Sequence, residues 1–227
     1  MKGQQMKDRS TGCFAACLAA VALMSCLPVV HGAEAAQWDV FETSYESAKA
    51  YPNPFTDLEV NVVFQKGDKQ WIVPAFWAGG GKWTVRFAPP LEGDYTYHLE
   101  STDKTNSDLN GKERTLSVAS YSGSNPLLKH GFLRVSANGR HFEHADGTPF
   151  LWLGDTWWKG LCQRIPWEGF QQLTADRKAK GYNVVQIIGG GPFPDEPLFD
   201  ARWKNEGGMP YAMGMERLNP AYFDYAD

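Results

Sequence analysis

Asp155 and Thr156 directly follow an apolar run, 149–153, and Gly154. An apolar run without polar interruption is typical of a strand that is buried on both faces of a sheet. A carboxylate and a hydroxyl placed where such a strand ends can hydrogen-bond a ligand at the rim of the sheet. We therefore expect any chemistry of this chain to begin at Asp155.

The residues after this strand predict a helix and a second strand. The helical segment is expected over 166–180, and Gly181 stops it. A second apolar run, 182–188, follows and carries Gln186 near its end. The order strand, helix, strand is a βαβ unit, which implies a parallel sheet.

The overall composition limits the classes of partner. The chain has 227 residues, of which 43% are hydrophobic, and a formal net charge of −4, so it is globular and long enough for one large or two ordinary domains. A weakly acidic chain without a Lys/Arg cluster argues against nucleic acid and anionic membranes as partners. Nine tryptophans exceed what core packing requires, and flat rings hold the apolar faces of sugars.

Several other chemistries are not supported. His141 and His144 lie three positions apart on a predicted strand, so their side chains point to opposite faces and no metal site is expected. The glycines at 189–191 lack the Lys-Ser/Thr of a phosphate loop, and we interpret them as a flexible rim loop. No Gly-x-Ser-x-Gly nucleophile elbow is present, and no cofactor is predicted.

The first 35 residues have the layout of a secretory signal peptide. Basic residues precede an apolar stretch, Cys13–Leu27, and small residues end at Ala35. Cleavage near Ala35 is one expectation; the other is a lipoprotein that is lipidated at Cys26, because Leu23–Cys26 resembles a lipoprotein box. The mature protein is expected to be periplasmic or extracellular, and no other hydrophobic run is long enough to span a bilayer.

Between Trp38 and Val118 the apolar residues alternate with polar ones, with turn signals between the runs. Short strands at this spacing predict an antiparallel β-sandwich of the immunoglobulin type over 36–122, without the usual disulfide. A linker and β-hairpin are predicted over 123–148, and the parallel unit begins at 149. Near the end of the chain, Asn219 and Pro220 predict the start of another helix.

An ordered set of segments resembles the apiosidase-like glycoside hydrolases, which are secreted bacterial enzymes with a TIM-barrel catalytic domain. These segments are His130–Val135, Phe142–Phe150, Leu153–Trp158, Asp176–Gln186 and Leu218–Phe223. The sandwich is similar to the β-domain of unknown function that precedes such barrels, through Asn53–Asp57, Pro74–Trp77 and Trp83–Pro90.

The resemblance implies a fold, a mechanism and a substrate class. Residues 149–227 would be the first βαβ part of a (β/α)8 barrel, truncated here because the 79 residues fall short of the roughly 250 that a TIM barrel needs. The family implies a retaining mechanism with two carboxylates carried after the fourth and seventh strands. No catalytic residue is therefore assigned, and this chain is expected to be inactive by itself.

The resemblance also implies a sugar subsite at the carboxyl edge of the first two strands. We assign Asp155, Thr156, Trp157 and Gln186 to it, for an oligo- or polysaccharide of plant or other complex origin. Trp158 either packs beneath the loop or contributes to binding.

Two classes of function remain open. The chain is either the N-terminal part of a secreted glycosidase or a non-catalytic β-sandwich that binds carbohydrate or a surface. Exposed, coplanar aromatic rings on one sheet face would favour binding. Burial of Trp71, Trp77 and Trp83 would favour a sandwich that braces the barrel.

Overall fold

The structure is a computed structural model that describes residues 32–191, 196–197, 200–212, 217–224 and 226–227. Cys26 and most of the predicted signal peptide lie outside the described residues. No helix in the described ranges is long and apolar enough to cross a membrane.

The N-terminal part consists of two β-sheets. Its strands are β1 Ala33–Ala36, β2 Phe41–Glu46, β3 Val60–Lys66, β4 Lys69–Pro74, β5 Phe76–Trp77, β6 Lys82–Phe87, β7 Gly93–Ser101 and β8 Gly111–Ala119. One sheet has the order β1-β8-β7-β3-β4 and the other β2-β6-β5. Every pairing is antiparallel except that of β1 with β8.

The two sheets share one hydrophobic core. Phe64 of β3 is fully buried and stacks on Phe87 of β6 at 4.1 Å and on Tyr97 of β7 at 5.1 Å between ring centroids. Alternation along these strands sends every second side chain inward, which is the pattern that predicted them. The prediction of a β-rich N-terminal domain is confirmed.

The sandwich begins earlier than the sequence predicted. Ala33–Ala36 forms an edge strand, in which Ala33 pairs with Leu116, and Ala33 and Ala35 pack against the core. The boundary predicted at Ala35 therefore falls inside β1. Alanine is small enough for a signal-peptide cleavage site and also for a closely packed edge strand. The residue types at 33–36 therefore could not tell a cleavage site from a strand.

After the sandwich, a short helix, α1 Pro126–Lys129, leads into a three-stranded antiparallel sheet. Its strands are β9 Leu133–Val135, β10 Phe142–His144 and β11 Pro149–Phe150. They include the hairpin that the turn signals predicted over 123–148.

The sequence predicted one continuous strand from the apolar run 149–153 and Gly154, and this prediction is wrong. Phe150 pairs with Phe142 in the antiparallel sheet, whereas the next strand, β12, spans Gly154–Trp157. Trp152 lies between the two strands, and its ring centroid is 5.4 Å from that of Phe142. The apolar run is divided because its first residues complete the hairpin sheet, so Asp155 and Thr156 lie within β12 and not beyond it.

The predicted βαβ unit is present. β12 is followed by α2 Trp167–Ala179 and by β13 Val184–Ile187, and the two strands are parallel, with Thr156 opposite Gln186. α2 is capped at Lys180, and Gly181 follows with φ +82°, a left-handed conformation that glycine adopts without strain.

A 3-10 helix, Ala201–Trp203, and α3 Pro220–Phe223 complete the described elements. Asn219 and Pro220 begin α3 as predicted, but the Asn219 amide does not cap the helix. Its Nδ2 donates to the carbonyls of Gly207 and Met209, both at 2.8 Å, and so ties the preceding turn to the start of α3.

Candidate functional site

Asp155 is held by its own neighbours and by α2. Its Oδ2 accepts hydrogen bonds from Trp157 Nε1 at 3.0 Å and from Arg177 Nε at 2.5 Å, and its Oδ1 accepts one from the Thr156 amide at 2.9 Å. The hydrogen bond from Arg177 is the main cause that lowers the pKa of Asp155 below its ordinary value. Asp155 is therefore a charged group that fastens α2 to β12.

The structure separates the four predicted site residues into two pairs. Trp157 is buried and meets Phe170 of α2 edge to face at 5.7 Å, so Asp155 and Trp157 lie on the side of the sheet that α2 covers. Strand alternation places Thr156 and its partner Gln186 on the opposite side, where both are exposed. Thr156 and Gln186 are thus free to meet a ligand, whereas Asp155 and Trp157 face away from them.

Trp158, for which the sequence left core packing and binding open, is 58% exposed. It does not pack beneath the loop.

The loops that follow β12 and β13 form a cavity, which we call the rim pocket. It encloses about 390 Å³ and is lined by Lys159, Cys162, Gln163, Arg164, Glu196 and Arg202. Both loops leave the carboxyl ends of parallel strands, which is the edge where α/β folds bind ligands.

A nearly buried carboxylate lies in the rim pocket. Only 6% of the Glu196 side chain is exposed, and its Oε1 contacts Lys159 Nζ and lies 3.7 Å from Arg202 Nη1. The second oxygen, Oε2, is buried and accepts no hydrogen bond in the described part of the chain. Asp200 orients Arg202 at 2.7 Å, and this contact is the main cause that lowers the pKa of Asp200 to about 2.

A small buried cluster and the side-chain amide of Asn205 fix the segments that flank the rim pocket. Cys162 and Trp203 form a small buried cluster. Asn205 Nδ2 donates to the carbonyls of Leu161 and Tyr222, both at 3.0 Å, and joins the first loop to α3. The rim pocket therefore places a nearly buried carboxylate beside two cationic groups, an arrangement that can hold a polar ligand.

Sequence reasoning did not find the rim pocket. Lys159 and Glu196 are 37 positions apart and lie in loops that have no periodic pattern. One indirect signal for the pocket was present in the sequence. Lys159 and Glu196 each follow a strand of the predicted parallel pair, and the carboxyl ends of such strands lie at the same edge of the sheet.

The described residues contain no group of three or more His, Cys, Asp or Glu side chains that could hold a metal ion. His144 is buried and its Nδ1 lies 2.8 Å from the Gly131 carbonyl, whereas His141 is exposed.

Comparison with protein families gave two matches. Residues 34–102 match a domain of unknown function, DUF5060, and residues 136–227 match the apiosidase-like catalytic domain. The resemblance to the apiosidase-like glycoside hydrolases is confirmed. The rim pocket and the βαβ unit both lie inside the apiosidase-like segment.

A solved structure of a candidate glycoside hydrolase from Bacteroides vulgatus is similar to this chain, with a TM-score of 0.64 and 22% sequence identity. The alignment covers 86% of this chain and 38% of the other one, so the chain spans well under half the length of that relative. A search of curated proteins found no match.

Proposed function

We propose that this chain is the N-terminal part of an exported glycoside hydrolase that acts on plant-type or complex polysaccharides with a retaining mechanism. The match of residues 136–227 to the apiosidase-like catalytic domain carries the proposal. In it, β12, α2 and β13 are the first βαβ part of a (β/α)8 barrel, and the sandwich is of the immunoglobulin type. Export would use the N-terminal segment, by cleavage or by lipidation at Cys26.

The proposal gives the described residues distinct tasks. Thr156 and Gln186 would hydrogen-bond sugar hydroxyls from the open side of the sheet. Asp155 would position the first strand against α2 through Arg177. A retaining glycosidase needs two carboxyl groups about 5–5.5 Å apart, and we assign neither of them to this chain.

The sandwich would act as a brace for the barrel. Arg86 on β6 makes a two-pronged contact with Asp227, at 2.9 and 2.5 Å, while its Nε contacts Glu42 at 2.6 Å. Bidentate contacts of this kind fix orientation as well as distance. Trp83 is buried, and Trp71 and Trp77 pack against the core, which favours a brace over an exposed row of binding rings.

Turnover of aryl glycosides tests the proposal. We expect the purified 227-residue chain to be inactive. We expect a chain extended by the downstream reading frame to be active, with retention of anomeric configuration when the product is followed by NMR. Turnover by the short chain that Asp155→Ala abolishes would contradict the assignment, as would an extended chain that supplies no further βα units.

A further inference from the structure

The sandwich carries a second cavity, at its contact with the apiosidase-like segment. This junction cavity encloses about 600 Å³, and its lining includes Phe55, Phe76, Trp77, Glu59, Asn61 and Leu218. Its volume lies within the range of cavities that hold small ligands, roughly 300–1,000 Å³.

Aromatic rings form the apolar wall of the junction cavity, and their positions are fixed. Phe55 meets Trp77 edge to face at 5.4 Å, and Trp77 Nε1 donates to the Gly80 carbonyl at 2.9 Å. The Arg86 guanidinium lies 5.2 Å from the centre of the Phe76 ring. Phe55 and Phe76 remain 36% and 43% exposed, so both can contact a ligand.

Two polar side chains share the cavity with these rings. The Glu59 backbone is held by Thr102, whose hydroxyl accepts from the Glu59 amide at 3.1 Å and whose amide donates to the Glu59 carbonyl at 3.0 Å. Asn61 is fixed in β3 between Pro74 and Glu100. The side chains of Glu59 and Asn61 make no hydrogen bond within the described ranges, so a carboxylate and an amide on a rigid frame are available to a ligand.

We propose that the junction cavity binds a neutral sugar unit of a polysaccharide. Aromatic rings pack against the apolar face of a pyranose or furanose. A carboxylate accepts hydrogen bonds from the sugar hydroxyls, and a neighbouring amide can both donate hydrogen bonds to them and accept hydrogen bonds from them. Glu59 is the charged group of the lining, so an acidic sugar is repelled. The brace would thereby also hold substrate.

Isothermal titration of the full chain with xylotetraose, arabinotetraose and cellotetraose tests the proposal, with trigalacturonic acid as the acidic comparison. We expect saturable binding of a neutral oligosaccharide and none of the acidic one. Phe55→Ala and Glu59→Gln should each weaken that binding about tenfold or more, the effect of losing one good contact.

Matched variants control for non-specific effects. Ile72→Ala removes an exposed apolar side chain of β4 outside the cavity, and Glu113→Gln neutralises an exposed carboxylate on β8. Both should bind as the unchanged protein does. The proposal is wrong if no neutral sugar binds, if the acidic sugar binds equally well, or if the control variants weaken binding as much as the cavity variants. This experiment measures binding, whereas the proposed function is tested by turnover. A failure of the junction-cavity proposal can therefore be told apart from a failure of the proposed function.

Discussion

Asp155 shows how a single residue can be chemically suited to one task and used for another. A carboxylate near the end of a buried strand suits a ligand-binding rim. Here its oxygens accept from Trp157, Arg177 and the Thr156 amide, and the side chain lies on the face that α2 covers. Its charge therefore contributes to the packing of strand on helix.

We expect Asp155→Asn to lower the stability of the chain more than Asp176→Asn, a more exposed partner of the same arginine. The lowered pKa of Asp155 means that its contribution is present above its ordinary value of 3.8 and is lost as the pH falls through the lowered value. In urea unfolding, the free energy of unfolding of Asp155→Asn should be lower than that of the unchanged protein by a constant amount between about pH 5 and 7. The difference should shrink below about pH 4. An equal difference at pH 3 would contradict this role.

The contact of Lys159 with Glu196 gives a second prediction at this scale. Lys159→Met leaves a nearly buried carboxylate with Arg202 as its one cationic neighbour among the described residues, so we expect a loss of about 1–3 kcal/mol in the stability of the rim pocket. Hydrogen exchange of the amides in 158–165 measures it. Lys180→Met, which removes an exposed partner of Asp176, is the control and should leave these amides unchanged.

At the scale of elements, β1 limits where a signal peptide can be cleaved without loss of a strand. Cleavage after Ala35 would remove three of its four residues and expose the edge of β8. Under the proposed export, we therefore expect the mature protein to begin at or before Ala33, as mass spectrometry of its N-terminal peptide would show. A mature chain that begins at Ala36 would contradict this expectation.

The packing of β1 can be tested by itself. Ala35→Asp places a charge against the core and should lower the thermal midpoint, because a charge is costly to bury. Glu34→Gln changes the exposed side of the same strand and should have little effect. Equal effects of the two substitutions would show that β1 does not pack as described.

The elements also show what the sequence could predict. Alternation predicted β3, β6 and β7, because in a two-sheet fold the period of two sets which side chains are buried. It did not predict β1, which has four residues, or the division of the run 149–153, because pairing of Phe150 with Phe142 is a tertiary contact. Lys159 and Glu196 meet only through two loops, so no local pattern indicated them.

At the scale of the whole molecule, the described parallel sheet has two strands, and apolar side chains of β13 and of the segment that leads into β12 are open to water. Leu151 is 76% exposed, Trp152 55% and Val185 41%. We expect the isolated chain to self-associate through these side chains and the strand edges of this sheet, since unpaired strand edges and exposed apolar side chains favour association. Sedimentation velocity measures this.

The variant Leu151→Ser with Val185→Thr should shift the chain toward the monomer, whereas Ile72→Ser, at a 61% exposed position on the sandwich, should not. A monomer with slow hydrogen exchange in β12 and β13 would show that two parallel strands and the sandwich suffice for a stable fold.

Cys162 is a natural chemical probe of the rim pocket, because its thiol lies in the pocket lining. It is the one cysteine among the described residues, is 2% exposed, and its thiol donates to the Lys159 carbonyl at 3.3 Å. We expect a thiol reagent such as dithionitrobenzoate to react slowly with Cys162 in the native protein, because so little of its side chain is exposed. The rate at which the absorbance of the released thiolate rises then measures how often Cys162 becomes exposed in the native protein, without an attached label.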